Sequence, residues 1–444
     1  MSTEHSPAAA SPAIDLPDMP DAPRDGSGFR TYEVYQRQRV RDATPLIKPR
    51  QLTSLDALAD PYPTVAILRE HYPCYRDWPG NSFWVTRYDD VTSVFVDDAN
   101  YETRSKLWRY EMVGYGRDLR NEVPVLWANA RAVDHLAAPL AEELVAELCA
   151  TGTGTDLATE FAARFAFVLQ ARTLALPAEL DTSFIAASLR MQRGCGWEPR
   201  AAHDGRAALR ELEAMLAPLL TQRRLHPGDD LISAIATLDL PDGPATAADV
   251  VVTLLEADHE TLHGALANLW FLLLTHPDQF DAVRSDRRLM RFAYQETLRH
   301  SAPVTMARRY TRHEVERFGR LLPEGAQIVL SAAAANRDPR QFDEPDRFLV
   351  TRTDICQREP RGSFRADGLP AGVAFGLGAP SKFPAVPDDR PRSMWALTRD
   401  TVVTASDVLL DALPRLRLAA DAAPRLRSLR WGEVHTCWNL PVTW

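Results

Sequence analysis

The chain is poor in lysine. Lys48, Lys106 and Lys382 are the three lysines among 51 basic residues, so 48 of its cations are arginine. Cysteine is also scarce: the five thiols (Cys74, Cys149, Cys195, Cys356, Cys437) fall at no paired or metal-type spacing, which argues against a disulfide framework and suits a reducing cytoplasm. An excess of positive charge is missing too. A net charge of −9 and a pI near 5.7 argue against nucleic acid as a partner. No apolar run is long enough to cross a bilayer, since the most apolar stretch, around Ala265–Leu274, contains Asn268 and stops at Thr275-His276-Pro277. No basic region followed by an apolar stretch opens the chain. The expectation is a cytoplasmic protein with neither a membrane nor a nucleic-acid partner. Metal motifs are absent as well: His259 and His263 stand four apart on a helical stretch, a spacing that can bind zinc, but no third ligand accompanies them. No metal site is expected.

What is present is a large, helix-rich body. Residues 1–27 are rich in Ala, Pro, Ser and Asp without helical periodicity and are expected to form a disordered tail. The pattern turns amphipathic from Phe29 to Arg41, which suggests a short helix. Asp60-Pro61-Tyr62-Pro63 introduces a helical stretch to about His71, Ser82–Thr86 reads as a strand, and Asp89 and Asp90 stand where a helix through Val91–Val96 should begin. From Ala128 to about Thr275 the pattern is helical, with breaks near 151–154, 176–177, 227–228 and 242–244. Short strands are expected around 314–318 and 327–330, the second after the turn Pro323-Glu324-Gly325. The fold class read from this is mainly α with small β-sheets, as one domain over 28–444.

Glu296-Thr297-Leu298-Arg299 puts a carboxylate and a guanidinium at i and i+3 on one helix face, a spacing that permits a charge-assisted pair. Alone this is a weak signal. Its surroundings sharpen it: Leu274-Thr275-His276-Pro277 lies upstream, and Ala302-Pro303-Val304, Arg309, Ala334-Ala335-Asn336-Arg337-Asp338-Pro339, Phe342 and Pro345-Asp346-Arg347-Phe348 lie downstream. In this order the chain resembles the bacterial cytochrome P450 superfamily over roughly 58–444, most specifically between about 255 and 348. The resemblance implies a cytochrome P450-like fold, in which Glu296, Arg299 and Arg347 form a structural triad. The arginine-for-lysine bias and abundant alanine fit a GC-rich, actinobacterial genome.

The resemblance also marks departures. Phe375-Gly376-Leu377-Gly378-Ala379-Pro380-Ser381-Lys382 matches the family's haem-binding loop, but Lys382 stands where the loop's cysteine is expected, and Pro380, Pro384, Pro387 and Pro391 interrupt the helix expected to follow. The loop near 375–392 is therefore read as degenerate, with Cys356 and Cys437 not placed to substitute and Lys382 read as a solvated side chain rather than an axial ligand. On the central helix, Ala257-Asp258-His259-Glu260-Thr261 keeps the acid and alcohol of the proton relay, Glu260 and Thr261, but carries Asp258 where a glycine is expected. Trp127–Arg131 and Arg309 match positions that contact haem propionates. Lys382, Phe375, Arg131, Arg309, Asp258, Glu260 and Thr261 are accordingly read as relic haem-site positions, with no catalytic residue and no cofactor expected.

Within the superfamily this pattern is similar to the haem-less auxiliary proteins of deoxysugar glycosyltransferases in antibiotic biosynthesis, with the anthracycline-pathway type the nearest likeness. That likeness implies a non-catalytic pseudoenzyme that binds, stabilises and activates a partner glycosyltransferase, which transfers a deoxy(amino)sugar to a polyketide aglycone of the macrolide or anthracycline kind. Two alternatives stay open: a divergent haem-binding oxidoreductase with a non-thiolate ligand, and a small-molecule binding protein.

Overall fold

The structure is a computed structural model that describes residues 47–48, 50–119, 131–195, 198–257, 260–358, 368–377, 394–429 and 432–444. The segment 1–27, Trp127–Ala130, Asp258, His259 and Lys382 lie outside the described residues.

Helices dominate, and their starts follow local chemistry. The helix Tyr62–His71 has Pro63 in its first turn, where a missing N–H leaves nothing unsatisfied. The helix Ala247–Ala257 is opened by a reciprocal cap: Asp249 N–H donates to Thr246 Oγ1 at 3.2 Å, and Thr246 N–H donates to an Asp249 carboxylate oxygen at 2.8 Å. The helix Tyr88–Phe95 begins one residue before the expected acidic pair, so Asp89 and Asp90 occupy its first turn, where carboxylates complement the helix dipole. The breaks read from the sequence separate Arg131–Thr151 from Arg164–Thr173, Arg164–Thr173 from Asp181–Gly194, and Pro199–Leu225 from Leu231–Ala236, while the break between Asp181–Gly194 and Pro199–Leu225 was not read.

Two helical cores result. Helices Arg131–Thr151, Arg164–Thr173, Glu260–Thr275, Leu289–His300 and Met394–Ala412 pack around Trp270, Phe161, Phe165 and Tyr294. A second core joins Asp181–Gly194 and Pro199–Leu225 to Ala247–Ala257 through Phe184, Met191, Leu209, Leu212 and Val251. The long hairpin in this core closes on two glycines: a Cβ added at Gly194 would come 2.9 Å from Gly205 Cα. Any larger side chain there forces the helices apart.

Strands are short. In chain order they are β1 (Tyr75–Asp77), β2 (Ser82–Val85), β3 (Tyr101–Glu102), β4 (Gly154–Asp156), β5 (Met306–Thr311), β6 (Val315–Arg317), β7 (Arg320–Leu322), β8 (Gln327–Ser331), β9 (Arg417–Leu418), β10 (Leu426–Leu429), β11 (Val434–Cys437) and β12 (Pro441–Thr443). The largest sheet runs β1-β2-β8-β5-β3, with β2 and β8 parallel and the other pairs antiparallel. Its register matters for function. Trp84, Val329 and Arg308 form one row, and Ser82, Gln327 and Tyr310 form another two residues along. Alternation sends Phe83, Ile328 and Arg309 to the opposite face. There Phe83 and Ile328 pack with Val91 and Phe95 of the helix Tyr88–Phe95, whereas Trp84 and Val329 pack with Val65 and Leu68 of the helix Tyr62–His71. Among the described residues, no helix is long and apolar enough to cross a membrane.

Candidate functional site

The helix Leu289–His300 buries the whole of its last two turns, and so carries Glu296 and Arg299 inward together. Arg299 grips Glu296 with two parallel bonds, Nε to Oε2 at 2.7 Å and Nη2 to Oε1 at 2.8 Å, with both side chains at most 1% exposed. Its remaining N–H groups donate to the carbonyls of Asn336 (2.9 Å), Pro345 (2.7 Å) and Arg347 (3.1 Å). A charge this deep is tolerated only when fully bonded, and here it ties the helix to the meander at 336–352.

The third member of the cluster is Arg352, not Arg347. Arg352 Nε lies 3.1 Å from both Glu296 oxygens, and its Nη1 reaches Asp354 at 3.0 Å. Arg347 contributes only its carbonyl. The turn closed by Arg347 N–H onto Glu344 O leaves its guanidinium 59% exposed, where it pairs with Glu344 at 2.6 Å. Leu349 N–H also donates to Glu296 Oε1 at 3.0 Å, so the carboxylate organises the chain that passes over it.

The same meander positions the loop. Asn336 Oδ1 accepts from Val373 N–H at 2.8 Å while its Nδ2 donates to Leu298 O at 3.2 Å. The Tyr88 hydroxyl donates to Ala371 O at 2.8 Å and accepts from Ala371 N–H at 2.9 Å. Cys356 N–H donates to Pro370 O at 2.8 Å, which draws this buried thiol's segment alongside the run entering the loop. Phe375 then packs on the main helical core and Leu377 on the sheet core. Between them Gly376 adopts φ +76°, and a Cβ there would come 3.1 Å from the Phe95 ring. Only glycine makes this turn without strain.

Arg309 lies against the same Phe95 ring, its guanidinium carbon 5.1 Å from the ring centroid. Its one hydrogen bond among the described residues runs from Nη1 to Arg308 O at 3.0 Å. Burial pushes its pKa down, partly offset by the more distant Asp98 carboxylate. A half-buried cation bonded to no carboxylate among the described residues is poised for an acidic ligand.

The other sequence-derived positions are less informative. Arg131 and Glu260 open the helices Arg131–Thr151 and Glu260–Thr275, with their side chains outside the description. Thr261 is half-buried on the second of these. His263, two residues on, is fully buried between Phe167 and Trp438, and burial drives its pKa down to about 4. Among the described residues no cluster of His, Cys, Asp or Glu could hold a metal ion. The basic run 284–291 is a solvated surface: Arg284, Arg287 and Arg288 pair with Asp281, Asp411 and Asp286. Sequence reasoning quoted Asn336 without assigning it a role, and it missed Tyr88, Phe95 and Arg352. For Arg352 the available signal was thin, a lone arginine four residues beyond Phe348.

Comparison with known proteins agrees with this geometry. The family model described as cytochrome P450 matches residues 245–354. Vitamin D(3) 25-hydroxylase of Pseudonocardia autotrophica is 30% identical over 66% of this chain and 77% of that enzyme. 6-Deoxyerythronolide B hydroxylase of Saccharopolyspora erythraea is 35% identical, though the match spans only 41% of this chain and 44% of the relative. The crystal structure of CalO2 superimposes with a TM-score of 0.70 at 26% identity, covering 90% of this chain and 98% of that one. The chain belongs to the cytochrome P450 family.

Membership corrects one expectation. The family is one of haem proteins, so haem, not the absence of any cofactor, is what the relatives imply for this chain. The described residues fit such a group at its acidic edge: Arg309 offers a half-buried cation bonded to no carboxylate among them, and the Gly376 turn stays clear of a side chain. Cys356 places a buried thiol on the segment beside the loop entry. A bound haem would supply iron for oxygen chemistry, and Arg309 would hold its acid groups.

Proposed function

We propose that this cytochrome P450 family member works as an auxiliary protein, which binds, stabilises and activates a glycosyltransferase that attaches a deoxy(amino)sugar to a polyketide aglycone, and is not itself the catalyst. One observation carries the reading: the scaffold cluster of Glu296, Arg299 and Arg352 is complete and buried, while the sequence places Lys382 where the loop's sulfur ligand would stand. Selection that keeps a shape and gives up a ligand favours work done by shape. The likeness to 6-deoxyerythronolide B hydroxylase, whose name states 6-deoxyerythronolide B as what it hydroxylates, supports the aglycone class. Activation of this kind is linkage: a protein that binds only the competent form of its partner raises that form's population and stability by mass action.

Co-expression with a deoxysugar glycosyltransferase, followed by co-purification and transferase assay, tests the reading. A stable complex and raised transferase turnover are expected. No complex together with unchanged turnover overturns it.

A second reading, a haem oxidoreductase, is favoured by one specific observation, the half-buried Arg309 beside the loop, bonded to no carboxylate among the described residues. Substrate oxidation by the purified, haem-loaded protein with dioxygen and an electron donor, without any transferase, would select it over the first.

A further inference from the structure

Two helix ends meet one short turn of chain. Residues Lys106–Tyr110 form a 3-10 helix capped by Ser105, whose Oγ accepts from Leu107 N–H at 3.2 Å. At its start this turn grips the helix Ala247–Ala257. Ser105 Oγ and Lys106 N–H both donate to Glu256 Oε1 at 2.6 Å, and Lys106 Nζ donates to Leu255 O at 3.0 Å. In a chain whose basic residues are almost all arginine, one of the three lysines is spent on this carbonyl.

At its far end the turn grips the helix Asp181–Gly194. That helix tightens as it closes: Cys195 N–H turns back to Gln192 O at 3.2 Å, which leaves Met191 O without its helical donor. The Tyr110 hydroxyl donates to Met191 O, and Arg109 Nη1 donates to Cys195 O at 2.9 Å. The same guanidinium holds both oxygens of Glu433. Lys106 and Arg109 thus set a cation at the C-terminal end of each helix, where the helix dipole favours it. Between them, Leu107 and Tyr110 are buried in the second helical core.

A 3-10 helix of five residues has no stability of its own. Its order rests on the two anchors, and each anchor keeps its geometry only while the turn is formed. We propose that Ser105–Tyr110 is a clip that makes the C-terminal ends of the helices Asp181–Gly194 and Ala247–Ala257 a single opening unit, so that freeing one end frees the other. A molecule that draws the turn away from either helix therefore loosens both ends. Nothing in the clip draws on a transferase or on haem.

Hydrogen exchange and lysine acylation of the full-length protein test it. E256A removes the acceptor at the first anchor, and exchange of the 191–195 amides at the second should speed about tenfold, the loss expected for one charged hydrogen bond. R109M cuts the second anchor, and acylation of Lys106 by sulfosuccinimidyl acetate should speed about tenfold. Peptide mapping separates Lys106 from Lys48 and Lys382. Y110F keeps every charge, speeds both readouts, and carries the test should either of the other variants fail to fold. The helices Arg131–Thr151 and Met394–Ala412 keep their protection throughout. Effects confined to the end that was altered, or equal acceleration in those two helices, overturn the proposal.

Discussion

Arg352 and Glu296 form a buried ion pair at 3.1 Å that joins two stretches of chain with no local reason to meet, a helix end and an irregular meander. Substitution separates this arginine from Arg347. Removing Arg352 leaves Glu296 to Arg299 but takes the donor from the carbonyls of Asp343 and Glu344, at about 1–3 kcal/mol for each buried group left unsatisfied, so R352L should unfold at much lower urea. R347A removes an exposed contact and should shift stability by less than about 1 kcal/mol. Equal effects of the two variants in urea unfolding would reverse the assignment.

Loop anchorage gives a local test. N336A removes the acceptor of Val373 N–H and Y88F removes both Ala371 bonds. Each leaves a buried backbone group unsatisfied, worth about 1–3 kcal/mol. Hydrogen exchange at Val373 and Ala371 should accelerate by that amount while the helices Asp181–Gly194 and Pro199–Leu225 keep their protection. Unchanged exchange at both amides would show that other contacts hold the loop.

Acid should loosen the fold through buried histidines. Burial lowers the His263 pKa to about 4, and burial followed by the charges of Arg337 and Arg299 holds His300 well below its ordinary value. A base whose folded pKa lies under its unfolded value binds fewer protons when folded, so stability falls as pH falls. For His263 the loss starts near the unfolded pKa of about 6.5 and continues down to about 4. H263L should flatten the pH dependence of urea midpoints across that window. A profile as steep as wild type would remove His263 from the account.

Haem retention can be read without any turnover. If Arg309 holds the acid groups of the cofactor, R309Q should weaken hemin uptake about tenfold in a Soret titration. R308M, on the other face of the strand, should leave uptake unchanged. The reverse order would misplace the cofactor's edge.

Much of the fold was legible because its signals are local. Pro63 and the following periodicity gave the helix Tyr62–His71, and the β-formers Ser82–Val85 gave β2. Glu296 and Arg299 were legible because i and i+3 must share a face. Arg352 was not, because its approach to Glu296 depends on how the turn at 344–347 folds, and no periodicity encodes that. β5 was missed for a related reason: its alternation carries Arg308 and Arg309 rather than apolar against polar residues, and the burial of these two guanidiniums rests on Glu433 and Phe95, which are distant in sequence. The expectation of no cofactor failed where the reading leaned on Lys382, the loop prolines and Asp258 and gave less weight to a family whose members carry haem.

Arg308 and Arg309 share a peptide unit yet look into different compartments, one towards an open cleft and the other towards the loop. The alternation of a strand is what separates them, since each side chain meets only the groups on its own side of the sheet. Changing one of the pair therefore leaves the contacts of the other in place, so the two compartments can be altered one at a time.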